Sequence, residues 1–276
     1  MNPLLEVRLL ASRELRKSFR SAKGLILAVL SVAGGAGVSV LLAWLDRMRR
    51  EKLPPEVDAR DLQQSVFTQI YDADTGKALA DAPYSLWIML IATLWLGPLL
   101  VALMGFDAVS GDLQHRTVRF WTVRTRRSSY LVGKFFGAWG VVLAVTLGMN
   151  AIVWGATATV GHLAPLYVVG WGLRFFAISI PISAAWCGIA ILVGSQFKTP
   201  MLALLATCAV FFCLWFLRVV ARVRGFAWLD EAYPNAYDRL LLSPHSTDVA
   251  LGLIGPIGMA LVAVVAAVWL FQKKDL

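Results

Sequence analysis

Charged residues are scarce in this chain of 276 residues. They make up 16% of the sequence, whereas a soluble domain contains about 25%. The deficit is uneven, because long blocks hold no Asp, Glu, Lys or Arg and the charged residues crowd between them. A bilayer imposes such a distribution, since a charge is costly in its hydrocarbon core. The composition argues against a soluble domain and predicts an integral membrane protein.

Cysteine and histidine are also few. The three cysteines, Cys187, Cys208 and Cys213, lie in apolar runs without the spacing of metal ligands, so we expect small buried hydrophobic residues and no disulfide framework. The three histidines have no common spacing, and we expect no metal site.

The motifs of several enzyme and transporter classes are missing. No G-x-x-x-x-G-K-[ST] occurs, and the glycine-rich run 34–37 lies inside an apolar block, where glycines serve helix packing. An intramembrane protease needs a Ser and a His within the membrane, and no His falls in an apolar block. No acidic residue lies in mid-block to carry a proton or sodium ion. We therefore expect no enzyme activity in this chain.

Six blocks are long enough to cross a bilayer, because about 20 residues of helix span a core of about 30 Å. They are Gly24–Leu45, Leu86–Phe106, Phe135–Val160, Phe175–Val193, Met201–Leu217 and Ala250–Phe271. The first exceeds the apolar core of a signal peptide, about 7–15 residues, so a retained span is expected. Trp95 and Trp186 lie deep in their blocks and are expected to pack inside. The predicted fold is an all-α polytopic membrane protein, with residues 1–276 as a single domain.

The basic residues predict the orientation. Lys and Arg are almost twice as dense in segments 1–23, 107–134, 194–200 and 272–276 as in segments 46–85, 161–174 and 218–249. The first group is therefore expected in the cytoplasm, with both termini. A cluster at Arg47, Arg49, Arg50 and Lys52 runs against this bias. Because basic residues flank the blocks, the net charge of +9 is not interpreted as nucleic-acid binding.

The segments outside the blocks contain three further patterns. Residues 4–20 form an amphipathic pattern, with Leu4, Val7, Ala11, Leu15 and Phe19 opposite Arg13, Arg16, Lys17 and Arg20. This pattern predicts an interfacial helix, or alternatively a basic flank that only orients the chain. In the external loop 46–85, Leu62, Val66 and Ile70 predict a short amphipathic helix, and residues 72–76 predict a turn. In the external loop 218–249, a short helix that dips into the interface and a plain surface loop remain equal alternatives.

Segment 107–134 is longer than a connection between two spans requires. It mixes bulky apolar residues, including Phe120 and Trp121, with several arginines. Such a mixture suits a short helix that docks into a groove on a partner. The alternative from composition alone is a helix that lies on lipid.

A set of residues in this segment resembles a family signature. Ser110, Gly111 and Asp112 open it, Thr117 follows, and Gly133 and Lys134 close it. They are similar to the signature of the ATP-binding-cassette (ABC) type-2 exporter permeases, with Asp112 in place of Glu. Arg116 stands where a Gly is usual, and Thr125 where a Pro is usual. The layout of six spans, the N-terminal helix and the short turn 194–198 extend the resemblance to nearly the whole chain.

The resemblance implies a coupling helix over residues 112–127 that docks a separate cytosolic ABC ATPase subunit. The docking residues would be Asp112, Thr117, Arg119, Phe120, Trp121 and Arg124. Phe120 and Trp121 are hypothesised as apolar anchors, and Arg119 and Arg124 as partners of acidic groups. ATP and Mg would bind to the ATPase subunit, with no cofactor in this chain. A second copy or a paralogue would complete a dimer in the plasma (inner) membrane. The resemblance implies export of a substrate that the sequence does not identify.

Two residues are candidates for a transport pathway. Arg174 immediately precedes the fourth block and would lie within the span if the helix begins near Leu166, and Asn150 lies in the middle of the third block. Gly133 with Gly137, and Gly252 with Gly255, offer close helix contacts and are candidate dimer seams. A membrane anchor or assembly factor that docks a cytosolic partner without transport remains an alternative, because coupling and tethering both need a docking helix.

Overall fold

The computed structural model describes residues 3–52 and 59–274, without the side chains of residues 22, 23, 45, 46, 49–52, 59, 119, 122, 124 and 227. This part of the chain is helical and contains no strand, which confirms the all-α prediction. The helices are α1 Pro3–Arg20, α2 Ala22–Lys52, α3 Ala59–Ile70, α4 Ala73–Leu79, α5 Tyr84–Gln114, α6 Val118–Arg124, α7 Arg127–Val160, α8 Pro165–Gly194, α9 Pro200–Arg224, α10 Ala227–Asp230, α11 Asp238–Leu242 and α12 Ser246–Gln272, with a 3₁₀ turn Pro234–Tyr237 before α11.

Six of these described helices are long and apolar enough to cross a membrane. They are the stretch Gly24–Trp44 of α2 and the whole of α5, α7, α8, α9 and α12. The six predicted spans are confirmed, but most of the helices extend well beyond the predicted blocks. α7, for example, has 34 residues and is about 51 Å long. A charge-free block marks the part that lipid can cover, whereas the helix continues where its side chains are polar.

Sequence signals set several helix boundaries. Pro165 and Pro200 begin α8 and α9, because the first turn of a helix does not need the missing N–H. Gly225 ends α9 with φ of 74°, a left-handed conformation that glycine adopts without strain. The connection between α8 and α9 is a short turn, as predicted.

α8 lies at the centre of the bundle and packs against α5, α7 and α12. Trp186 is fully buried there, as predicted. Its ring is edge-on to the rings of Phe211 and Tyr233, with distances of 4.6 and 5.2 Å between ring centres. The prediction for Trp95 is wrong, because its side chain is exposed on the outside of α5. Cys187 is buried, but Cys213 is exposed, because it points away from the bundle on α9.

The two ends of the bundle differ in structure. We call the end that carries α1, α6, the α8–α9 turn and Lys274 the α6 end, and the end that carries α3, α4, α10 and α11 the far end. At the far end, the predicted helix over Leu62–Ile70 is confirmed as α3, but its fully buried residue is Phe67, which contacts Trp87 at 5.1 Å. The prediction of a turn at residues 72–76 is wrong, because residues 73–76 belong to the helix α4. Asp72 instead caps α4 by accepting a 2.8 Å hydrogen bond from the Thr75 amide.

Segment 218–249 is not a plain surface loop. Leu241 and Leu242 of α11 are buried, and on α12 Gly252 makes room for Leu240 and Leu241 and Gly255 for Tyr237. A Cβ atom on Gly255 would overlap the Tyr237 ring. The close contact predicted for this glycine pair exists, and it is formed within the chain rather than at a dimer seam.

Candidate functional site

α6 is shorter than the coupling helix expected over residues 112–127. α5 continues through Asp112 to Gln114, and the chain then turns at Arg116, whose φ is 56°. This left-handed conformation costs a residue with a side chain about 1–2 kcal/mol, a cost that glycine would avoid. Thr125 ends α6 in an extended conformation, and its hydroxyl donates to the Trp121 carbonyl at 2.8 Å. The bounds of the coupling helix were therefore predicted wrongly, although a helix is present.

The two faces of α6 have different surroundings. Val118 is buried, whereas the side chains of Phe120 and Val123 are 75% and 86% exposed. Trp121 is half-buried, with the Arg13 guanidinium of α1 3.8 Å from its ring centre. The exposed apolar pair is thus Phe120 with Val123, and sequence reasoning missed Val123. Spacing of three residues on one helix face could have indicated it.

Two of the expected docking residues cannot be placed. The side chains of Arg119 and Arg124 lie outside the described residues, so the hypothesis that they pair with acidic groups stays a prediction. Their backbone belongs to α6.

Asp112 faces the interior and not a partner. Its Oδ2 atom is 2.8 Å from Lys134 Nζ and accepts a 2.8 Å hydrogen bond from the Tyr130 hydroxyl. Lys134 also donates to Glu14 Oε2 of α1 at 2.6 Å, and its side chain is only 6% exposed. The Thr117 hydroxyl donates to the backbone carbonyl and to Oδ1 of Asp112, both at 3.2 Å. Asp112 and Thr117 thus hold α6 to α5 inside the chain, and their expected docking role stays a prediction.

α1 packs along a row of glycines on α7. A Cβ atom on Gly133 would lie 2.5 Å from Leu10 Cβ, and one on Gly137 would lie 2.6 Å from Glu14 Cβ. The candidate dimer seam at this glycine pair is therefore occupied by the chain's own α1. The amphipathic helix is present, but its buried stripe is Glu6, Leu10 and Glu14 rather than the predicted apolar face. Its position on the membrane surface stays a prediction.

The end of α12 and Lys274 are hydrogen-bonded to other segments at the α6 end. Arg127 Nη1 donates to the carbonyls of Gln272 and Lys274 at 3.0 and 3.2 Å. Lys274 Nζ donates to the Ser195 carbonyl in the α8–α9 turn at 2.6 Å. Partial burial, and next the positive charge of Lys198, hold the pKa of Lys274 below its usual value. Contacts thus run from α6 through α1 and α7 to α12 and the α8–α9 turn.

The two candidate pathway residues are not brought together by any shared contact. Arg174 is exposed, with its guanidinium 5.1 Å from the Trp171 ring. Asn150 is buried, and its side-chain amide donates to the Thr146 carbonyl of the same helix at 2.9 Å. Within the described parts of the chain, no group of three or more His, Cys, Asp or Glu is arranged to hold a metal ion.

This arrangement defines a class of protein: a multi-pass helical membrane protein with a short helix exposed between its second and third candidate spans. A family model described as "ABC-2 family transporter protein" matches residues 8–276. The chain therefore belongs to the ABC-2 transporter family and is a membrane-spanning permease subunit of an ABC transporter. A comparison with curated proteins finds no match. The family is in general non-enzymatic and implies partnership with an ABC ATPase subunit, usually in a dimer.

Proposed function

We propose that this chain is the permease subunit of an ATP-driven exporter in the plasma (inner) membrane, with α6 and both termini in the cytoplasm. ATP and Mg²⁺ bind to a separate ATPase subunit, and α6 docks into that subunit. Two permease chains, identical or paralogous, form the transporter. The substrate is unidentified. The exposed apolar pair of Phe120 and Val123 on α6 carries this proposal.

An apolar pair is costly on a surface that faces water. Phe120 and Val123 lie three residues apart on one face of a seven-residue helix, outside the apolar spans. A helix of this kind docks by placing its apolar face into a groove, and a few such anchors provide most of the binding free energy. Trp121, which was expected as a second anchor, contacts the Arg13 guanidinium of α1 and thereby helps to fix the position of α6.

The contacts behind α6 support a role in transmission. Arg13 lies over the Trp121 ring, and Thr117 is hydrogen-bonded to Asp112 at the end of α5. Asp112 is in turn paired with Lys134 on α7. A force applied to α6 by closure of two ATPase subunits would therefore reach the second and third spans through buried polar contacts, which resist stretching.

The test compares two matched double variants of the permease, each co-expressed with its ABC ATPase subunit. Phe120→Ala with Val123→Ala is expected to abolish co-purification of the ATPase, because hot-spot anchors contribute about 2 kcal/mol or more each. Val223→Ala with Phe226→Ala is the control, since these side chains are of the same types, have the same spacing and are 79% and 50% exposed at the far end. Equal co-purification by both variants contradicts the docking role.

A second measurement separates transport from tethering. In vesicles that contain the complex, a permease is expected to stimulate ATP hydrolysis when cargo is added, whereas an anchor or assembly factor leaves it unchanged. The orientation is tested by tags at residue 120 and at both termini. We expect all three on the cytoplasmic side, and tags on opposite sides contradict the topology.

A further inference from the structure

A cavity of about 480 Å³ lies at the far end of the bundle. This volume falls in the range of roughly 300–1,000 Å³ that small-molecule sites occupy. The wall comes from the last part of α2 around Leu42, the start of α5 around Ile88 and the end of α7 around Val160. All the described lining residues belong to the far end, so the cavity is separate from α6.

The path of α2 explains why space opens here. Lower on α2, the Ser31 hydroxyl donates to the Val145 carbonyl of α7 at 3.0 Å. One turn further, a Cβ atom on Gly35 would lie 3.0 Å from Ile152 Cβ, so the two helices almost touch. Beyond this contact, Ser39 and Ala43 line the cavity. The close helix pair therefore leads directly into an open space near the end of the membrane-spanning stretch.

Hydrogen bonds between different segments hold the wall of the cavity in place. Gln63 Nε2 of α3 donates to the Ala82 carbonyl at 2.6 Å, which fixes α3 over the start of α5. The hydroxyls of Ser85 and Thr157 share a 3.0 Å hydrogen bond that joins α5 to α7. Tyr167 of α8 donates to the Asp81 carbonyl at the same end. Because these contacts hold the wall in place, little ordering cost remains for a ligand.

The chemistry of the wall selects the ligand. Among the described residues that line the cavity there is no charged side chain, so an ion would lose its hydration there without gaining a partner from them. Leu42, Ile88 and Val160 offer an apolar surface, while Ser85 and Thr157 offer hydroxyls that can donate and accept. We propose that this cavity binds one uncharged amphiphile, with its alkyl chain against the apolar wall and a hydroxyl-bearing or amide-bearing head group beside Ser85 and Thr157. A bilayer lipid and a transported cargo could each have this chemistry.

The binding test uses the purified permease alone, so it does not depend on the proposed function. The probe is a photoreactive monoacylglycerol in detergent micelles. We expect saturable labelling of peptides from the ends of α2, α5 and α7. Unlabelled monoacylglycerol should displace the probe, and the anionic fatty acid of the same chain length should not. Equal displacement by the fatty acid overturns the proposal.

Two variants fill the cavity from different walls. Ala43→Phe on α2 and Ala156→Phe on α7 should each reduce labelling roughly tenfold or more, since a single methylene group in a pocket already changes binding by about 10–200-fold. Ala209→Phe is the matched control, because Ala209 is exposed on α9 away from the cavity. Melting temperatures show which variants are folded. Labelling of both cavity variants at the wild-type level overturns the site.

A third variant tests the head-group contact. Ser85→Ala with Thr157→Val removes both hydroxyls and keeps the shape of the wall. It should weaken the monoacylglycerol by up to roughly tenfold, the equivalent of one or two hydrogen bonds. A photoreactive alkane without hydroxyls should bind this variant and the wild type with equal affinity. Equal weakening of both probes contradicts the assigned orientation.

Vesicles that contain the complex of the permease with its ATPase distinguish the two possible sources of the amphiphile, a transported cargo and a bilayer lipid. If monoacylglycerol raises ATP hydrolysis in the wild type and not in Ala156→Phe, the site takes cargo. If the probe binds and ATP hydrolysis is unchanged, the site holds a resident lipid. Absence of binding to the permease alone overturns the site, whereas loss of ATPase docking would affect only the proposed function.

Discussion

The side-chain amide of Asn235 donates a 2.6 Å hydrogen bond to the backbone carbonyl of Leu94 in α5. Pro98 lies four residues after Leu94 and has no N–H, so it cannot make the helical hydrogen bond to this carbonyl. The side-chain oxygen of Asn235, Oδ1, accepts a 2.8 Å hydrogen bond from Trp186 Nε1. Asn235 therefore completes the hydrogen bonding at a proline in the second span and joins it to the core of the fourth.

Replacement of Asn235 tests this relationship. Asn235→Leu leaves the Leu94 carbonyl and the Trp186 N–H without partners, and we expect a loss of about 1–3 kcal/mol of unfolding free energy for each. Pro98→Ala restores a backbone N–H for Leu94, so the cost of Asn235→Leu should be smaller in that background. Chemical unfolding in detergent measures all four proteins of the cycle. Additive costs would contradict the role assigned to Pro98. Asn150→Leu, which removes a bond within one helix, should cost less.

Removal of the Lys134 charge should destabilise the α6 end. Lys134→Met removes the one ammonium group that contacts both the Glu14 and the Asp112 carboxylates, and breaking a buried ion pair in this way costs about 3–5 kcal/mol. The triple variant with Glu14→Gln and Asp112→Asn should recover much of this loss. Thermal unfolding in detergent measures the effect. Arg60→Met is the control, since Arg60 pairs with Asp81 in an exposed salt bridge worth about 0–1 kcal/mol. Equal effects of the two single variants would refute the buried network.

Enlarging the glycine row should release α1. A Cβ atom on Gly137 meets Glu14 at 2.6 Å, so Gly137→Ala forces α1 away from α7. We expect faster trypsin cleavage at the basic residues of α1 in the purified permease. Gly155→Ala on the same helix is the matched control, because a Cβ there has no neighbour within 4 Å. It should instead favour the helix by up to about 1 kcal/mol. Unchanged cleavage of Gly137→Ala would show that α1 is not held by this row.

The turn before α6 contains a strained residue. Arg116→Gly should raise the unfolding free energy by about 1 kcal/mol, because glycine adopts the left-handed region without a steric penalty. His115→Gly is the neighbouring control. Its φ is −86°, so glycine only adds freedom to the unfolded chain and should lower stability. The two variants are compared by chemical unfolding. A loss of stability in both would contradict strain at Arg116.

The docking segment shows how far sequence reasoning extended. Its position between the second and third spans and the exposure of Phe120 followed from composition and resemblance. The inward direction of Asp112 did not, because its partner Lys134 lies on another helix and the third member, Glu14, lies about 100 residues earlier. The contact of Trp121 with Arg13 could not be predicted either, since nothing near Trp121 in sequence indicates that Arg13 covers its ring.

The sequence by itself determined the six spans and the family, because a bilayer acts on each apolar stretch according to its own composition. It also determined several boundaries through single residues such as Pro165 and Gly225. Only the tertiary structure decided which surfaces meet: α1 on the glycines of α7, Asn235 on Leu94, and the cavity beside Ser85 and Thr157. An apolar or small residue can pack against lipid, against its own chain or against a partner with almost equal stability. The choice among them depends on shapes and polar groups that come together only when distant segments pack.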